Sequence, residues 1–271
     1  MARSDEEREL TASFDADYLA AQNDLKLELE RVVCGCDYGG TSWTTKPEAQ
    51  HLGHLLGLGP GQRLLELGAG SGWPGLFLAA TTACDVALVD LPLEGLRIAK
   101  ERAAAEPPPG ACWIAQADGA ALPFAAASFD AISHSDVLCC LAPKRSVLAE
   151  CRRVIRPGGI MAFTVIYITP GLTPADHARV LESSPPYAET QTTYPDLLTQ
   201  TGWTIDSTTD LTSDYGATVR HLLREQEARA ARMNALLGEA EFANRRAAKR
   251  ANIQVIEDGL LKRELFAVTP M

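Results

Sequence analysis

No apolar run in this chain approaches the ~18 residues that a membrane-crossing helix needs. Positive charge is also short: 25 Lys and Arg against 35 Asp and Glu leave a net charge of −10. A nucleic-acid backbone is therefore repelled at long range, and no nucleic-acid or membrane partner is expected. The bases Arg245, Arg246, Lys249 and Arg250 are a local exception, read as a solvated helix face. C-x-x-C pairs are missing, and the seven cysteines are an odd number. A disulfide framework and a paired-thiol zinc site are both disfavoured; reduced, mostly buried thiols are expected, with no metal site. The opening residues MARSDEERE lack the basic and apolar blocks of a secretory leader, which points to a cytoplasmic protein. Internal repeats and low-complexity linkers are absent.

What is present begins with 271 residues, 46% of them apolar, enough for one α/β domain with additions. The most informative stretch is residues 64–72, LLELGAGSG. An apolar run ends in Glu66 and then meets glycine at Gly68, Gly70 and Gly72, so a buried strand turns tightly where a Cβ would obstruct a bound nucleoside. Gly72, Trp73 and Pro74 are expected to open a helix, with proline in its first turn. A dinucleotide site needs G-x-G-x-x-G; counted from Gly68, the third glycine is replaced by Trp73, which argues against that version. Asp90 follows about 20 residues past the loop, at the end of the short apolar run 85–90, where a carboxylate can accept ribose hydroxyls. A third run, 112–117, ends in Asp118 and Gly119.

The spacing E-x-G-x-G-x-G from Glu66 resembles the first motif of the class I S-adenosylmethionine (SAM)-dependent methyltransferases, and in particular their small-molecule, UbiE-like branch. Leu122-Pro-Phe124, the SFDAIS of 128–133 and the RPGG of 156–159 follow in that family's order, so the resemblance covers residues 62–166. It implies a Rossmann-like, doubly wound α/β fold with a seven-stranded sheet, and SAM as cofactor. By the same resemblance Glu66, Gly68, Ala69, Gly70 and Gly72 form the cofactor loop, Asp90 holds the ribose, Leu91 belongs to the cofactor site, and Asp118 and Gly119 meet the adenine. His134, Ser135 and Asp136 fall at the methionine end. The implied reaction is methyl transfer to the oxygen, nitrogen or carbon of a small-molecule acceptor. A catalytically silent SAM-binding protein, an arsenite methyltransferase and a dinucleotide oxidoreductase stand as alternatives.

Residues 1–45 read as an N-terminal helical preface or lid, with Leu10, Phe14, Tyr18, Leu25 and Leu29 at helical intervals and a hinge over 34–43. Residues 46–271 read as the methyltransferase domain, with acceptor or lid insertions around 169–193 and 212–258, the second helical from Tyr215 to Arg250. For chemistry, His134 and Asp136 are the candidates for a catalytic base; the histidine that relatives carry a few positions on is replaced here by Cys139 and Cys140. That thiol pair could in principle hold a soft ion, although packing is its commoner role. Tyr18, Tyr38, Trp43, Tyr187 and Trp203 fall in segments expected near the acceptor pocket, with Cys139 on its wall. Trp73 and Trp113 are expected in the core or beside the adenine.

Overall fold

A computed structural model describes residues 4–271; residues 1–3, the start of the charged N-terminal run, lie outside it. The chain runs α1 (Asp5–Ala21), α2 (Asp24–Cys34), α3 (Lys46–Leu55), β1 (Arg63–Leu67), α4 (Gly75–Thr82), β2 (Asp85–Asp90), α5 (Leu93–Ala105), β3 (Cys112–Gln116) and β4 (Phe129–Ser135). After a single 3₁₀ turn (Leu138–Cys140) come α6 (Lys144–Val154), β5 (Ile155–Ile168), α7 (Pro174–Leu181), α8 (Tyr194–Gln200), β6 (Trp203–Asp210), α9 (Thr212–Ala228), α10 (Ala230–Leu237), α11 (Glu239–Glu257) and β7 (Leu261–Pro270).

The seven strands form one sheet in the order β3-β2-β1-β4-β5-β7-β6. The first five are parallel, whereas β7 runs antiparallel to both β5 and β6. Strand order reverses between β1 and β4, which opens a crevice at their carboxyl ends. Period-two alternation along each strand splits the core. Leu65 and Leu67 of β1 join Ile132, Phe163 and Phe266 on one face, while Leu64 joins Val86, Leu88, Ala131 and Leu265 on the other. Among the described residues no helix is long and apolar enough to cross a membrane.

Local chemistry explains where the elements begin. Ser4 caps α1 and Glu7 reciprocates, each accepting the other's backbone N–H, and Thr45 with Glu48 repeats that capping box on α3. Several sequence expectations need correction. Helix α4 starts at Gly75, with Pro74 flanking it after a cis Trp73–Pro74 peptide, so Trp73 lies outside the helix. The helical run 215–250 is divided near Arg229 and again at Gly238, whose φ of 84 ends α10. Trp113 is 50% exposed rather than packed, because β3 is an edge strand. Trp203 is fully buried in the core, donating its indole N–H to the Leu148 carbonyl.

Candidate active site

A cleft of about 200 Å³ lies over the carboxyl ends of β1, β2, β3 and β4. Its floor is the turn after β1. The N–H groups of Gly68 and Ala69 both donate to the Val89 carbonyl, which fixes the turn against β2. Gly68 and Gly70 adopt φ of 68 and 48, the left-handed region. A Cβ at Gly68 would come within 2.3 Å of Val137, and one at Gly70 within 2.5 Å of the Tyr18 hydroxyl. Asp90 ends β2 with its carboxylate under the loop, accepting the N–H of Gly70 and of Leu91, each at 2.8 Å. Burial pushes the Asp90 carboxyl up to about 6, against the pull of those two hydrogen bonds. Asp118, just past β3, accepts the N–H of Ala120, and Gly119 packs against Leu67.

Helix α1 roofs the cleft. Glu7, Leu10, Thr11, Phe14 and Tyr18 face it from one side of the helix. The Tyr18 ring enters a notch that exists because Gly70 and Gly95 have no side chains; a Cβ at Gly95 would lie 2.9 Å from the ring. Nearby, Asp15 accepts the N–H of Glu94 at 2.8 Å, supplying the N-terminal cap that Pro92 cannot give α5. Residues 40–43 close the adjoining wall, and Trp43 packs edge-on against Tyr215 at 5.4 Å. Trp73 donates its indole N–H to the Thr44 carbonyl, joining that wall to the glycine turn.

Beyond the end of β4, Asp136 has φ 55 and donates its N–H to the Thr164 carbonyl. Its carboxylate receives Nε of Arg263 at 3.0 Å. Arg263 is fully buried; it also donates to Glu48 at 2.7 Å and to the hydroxyls of Thr44 and Thr164. Burial by itself lowers the Arg263 pKa, but Asp136 and Glu48 more than reverse this and keep the guanidinium charged. The Cys139 thiol donates to the Asp136 carbonyl at 2.9 Å and lies 4.0 Å from that of Cys140. The Cys140 contact, then burial, hold Cys139 well above the ordinary thiol range, so it is a thiol and not a thiolate.

Residues 65–163 match the family described as methyltransferase domain. Over that stretch the chain is similar to a methyltransferase domain. A demethylmenaquinone methyltransferase of Renibacterium salmoninarum is 38% identical over 104 residues, 38% of this chain and 41% of that protein. The 27-O-demethylrifamycin SV methyltransferase of Amycolatopsis mediterranei is 32% identical over 136 residues, 48% of this chain and 49% of that one. The chain thus spans about half, or less, of the length of these curated relatives. Among solved structures, phosphoethanolamine N-methyltransferase 2 of Haemonchus contortus superposes with TM-score 0.77 at 19% identity, over 92% of this chain and 57% of that one. Geranyl diphosphate C-methyltransferase of Streptomyces coelicolor A3(2) gives 0.73 at 15% identity over the whole of both chains. These two likenesses concern the fold.

The fold brings many of the sequence-selected residues together: Gly68, Ala69, Gly70, Asp90, Leu91, Asp118, Gly119, Ser135, Asp136, Tyr18, Trp43 and Cys139 all line the cleft. Others lie elsewhere. Glu66 and Gly72 do not line the cleft; Glu66 is fully buried beneath the turn, where a Cβ on Gly75 would meet it at 3.1 Å, and burial pushes its carboxyl up to about 8. The Ser133 hydroxyl opposite it tempers that shift without forming a full hydrogen bond. Tyr38 packs on Trp73 and under the Arg102 guanidinium. Tyr187 braces the turn after β4 through its N–H, donated to the Cys139 carbonyl. Cys34 and Cys36 pack with Ala49 and Trp73, in a different cluster from Cys139. No residue of the 212–258 insertion lines the cleft, where a lid was expected; α9 packs instead on α2 and α11.

His134 is the sharpest departure. Alternation along β4 sends Ser135 to the cleft and His134 into the core, where its ring stacks on Phe163 at 4.5 Å. Neither ring nitrogen has a hydrogen-bond partner, and burial lowers its pKa to about 3. In this position it touches no reacting group. The unfolded chain takes up a proton near pH 6.5 that the folded one refuses. Stability therefore falls as pH drops through 6.5 toward 3. His134→Phe is expected to remove about 2 kcal/mol of the loss between pH 7.5 and pH 5, measured by urea unfolding at both values. An unchanged acid-side loss would contradict a neutral, core-facing imidazole.

Proposed function

We propose that this protein transfers a methyl group from SAM to a small-molecule acceptor. The observation that carries the reading is the Asp90 carboxylate, held under the glycine turn by the Gly70 and Leu91 N–H groups at the strand-order reversal. Two buried hydroxyls support it: Ser71 and Ser135 line the cleft, and neither has a partner within the protein. Polar groups left open in this way suit a ligand rich in donors and acceptors. Asp90 would then hold the ribose, Asp118 with Gly119 the adenine, and Ser135 with the Gly68–Gly70 backbone the methionine end. When bound, SAM supplies an electrophilic methyl group on a sulfonium. The chain's own part is to position and to exclude water: α1, residues 40–43 and the 3₁₀ turn enclose the place where donor and acceptor meet. Asp136 is engaged by Arg263 and is read here as a wall of that chamber, not as a base. The described part of the preface, residues 4–45, acts as the lid of the domain formed by 46–271. The seven free thiols suit a reducing compartment, and we place the protein in the cytoplasm.

Calorimetric titration with S-adenosylhomocysteine (SAH) and with NADH, followed by tritium transfer from labelled SAM into pools of small acceptors, tests this. Saturable 1:1 SAH binding, no NADH binding and labelled product are expected. SAH binding with no transfer into any pool would favour a silent binding protein, and NADH binding would overturn the reading.

A further inference from the structure

The charges around the cleft are of one sign. Glu7, Asp90, Asp118 and Asp136 line it, and among the described residues no lysine, arginine or histidine does. Two cations bonded to residues of the cleft wall, Arg263 through Asp136 and Lys144 through Leu141, are already engaged. Arg263 is divided between Asp136, Glu48 and two threonine hydroxyls, and Lys144 donates its ammonium to the carbonyls of Leu141 and Tyr187. With Asp90 and Asp118 on the side assigned to the nucleoside, the remaining chamber has Glu7 at its roof and a wall of Leu10, Phe14, Trp43, Leu141, Ile166 and Pro185.

We infer that the acceptor is an uncharged, mainly apolar molecule and that phosphate- or carboxylate-bearing compounds are excluded. This rests on the methyl-transfer reading, since it names the acceptor of the same cleft. The physical ground is desolvation. An anion brought under α1 loses its water, finds no positive side chain to replace it, and faces Glu7. An apolar ring or chain loses nothing polar and gains contact with the aromatic and aliphatic wall. The chamber thus suits different molecules from those bound in the two structural neighbours. One of those was solved with phosphomonomethylethanolamine and the other with geranyl diphosphate and Mg2+, both of them phosphorylated molecules.

The test is a matched pair, 2-naphthol and 2-naphthyl phosphate, titrated calorimetrically into SAH-saturated protein at pH 7.5 and again without SAH. Naphthol is expected to bind, with the phosphate weaker by roughly tenfold or more. Leu10→Arg, which puts a cation on the roof, is expected to shrink or reverse that ratio; Glu7→Gln should shrink it without reversing it. Equal or tighter binding of the phosphate by the unaltered protein overturns the inference. So does binding of neither probe, because an apolar chamber must take up an apolar ring. Failure of SAH to bind counts against the methyl-transfer reading alone, since the titrations without SAH still report how the chamber discriminates between the probes.

Discussion

Replacing Arg263 with leucine is expected to destabilise the protein by about 3–5 kcal/mol, the usual cost of breaking a buried ion network from one side. The guanidinium is fully buried on β7 and meets four partners from four places in the chain. Without it, Asp136 and Glu48 are left as carboxylates with side chains only 8% and 17% exposed and no countercharge. A triple replacement, Arg263→Leu with Asp136→Asn and Glu48→Gln, should recover a large part of the loss, because the stranded charges are gone. Urea unfolding of the single and triple variants measures both effects. A loss below about 1 kcal/mol for Arg263→Leu alone, in the range of an exposed pair, would show that the network does not hold the wall of the cleft.

That network also marks the limit of what sequence reading could reach. The glycine turn, Asp90 and Asp118 were legible because each function is local: a strand ends, a carboxylate or glycine sits at its tip, and spacing along the chain encodes position in the sheet. The roof was partly legible. Leu10, Phe14 and Tyr18 recur at helical intervals, but the sequence could not say that this face meets a notch made by Gly70 and Gly95. Arg263 and Asp136 lie 127 positions apart, and nothing local ties them together. His134 was misplaced for a different reason: strand alternation was available, and it pairs His134 with Ile132 rather than with Ser135. Trp113 could not be placed either way, because alternation does not reveal that β3 ends the sheet. Gly238, by contrast, was an available break within the supposed continuous helix and does divide it.

Replacing Asp90 with alanine is expected to weaken SAH binding by about 100-fold or more, since the proposed function gives its carboxylate two charge-assisted hydrogen bonds to the ribose. The protein itself should stay folded. Asp90 is a liability to the unliganded fold: its carboxyl is pushed up to about 6 from an ordinary value near 3.8, so the folded state resists its ionisation. The penalty grows as pH rises from about 4 to 6 and is constant above that. At neutral pH it amounts to about 3 kcal/mol at most. That figure already contains the opposing effect of the Gly70 and Leu91 hydrogen bonds, which asparagine keeps only in part. Asp90→Asn is therefore expected to be as stable as the unaltered protein or more so at pH 7.5, while binding SAH far more weakly. The same titration makes affinity pH-dependent in the unaltered protein: lowering pH through 6 protonates the carboxylate and weakens SAH binding, and both variants should lose that dependence. Calorimetry from pH 5 to 8, paired with urea unfolding, separates the two effects. Unchanged SAH affinity in Asp90→Ala would remove Asp90 from the cofactor site. Unfolding of both variants would mean instead that its carboxylate serves the turn and not a ligand.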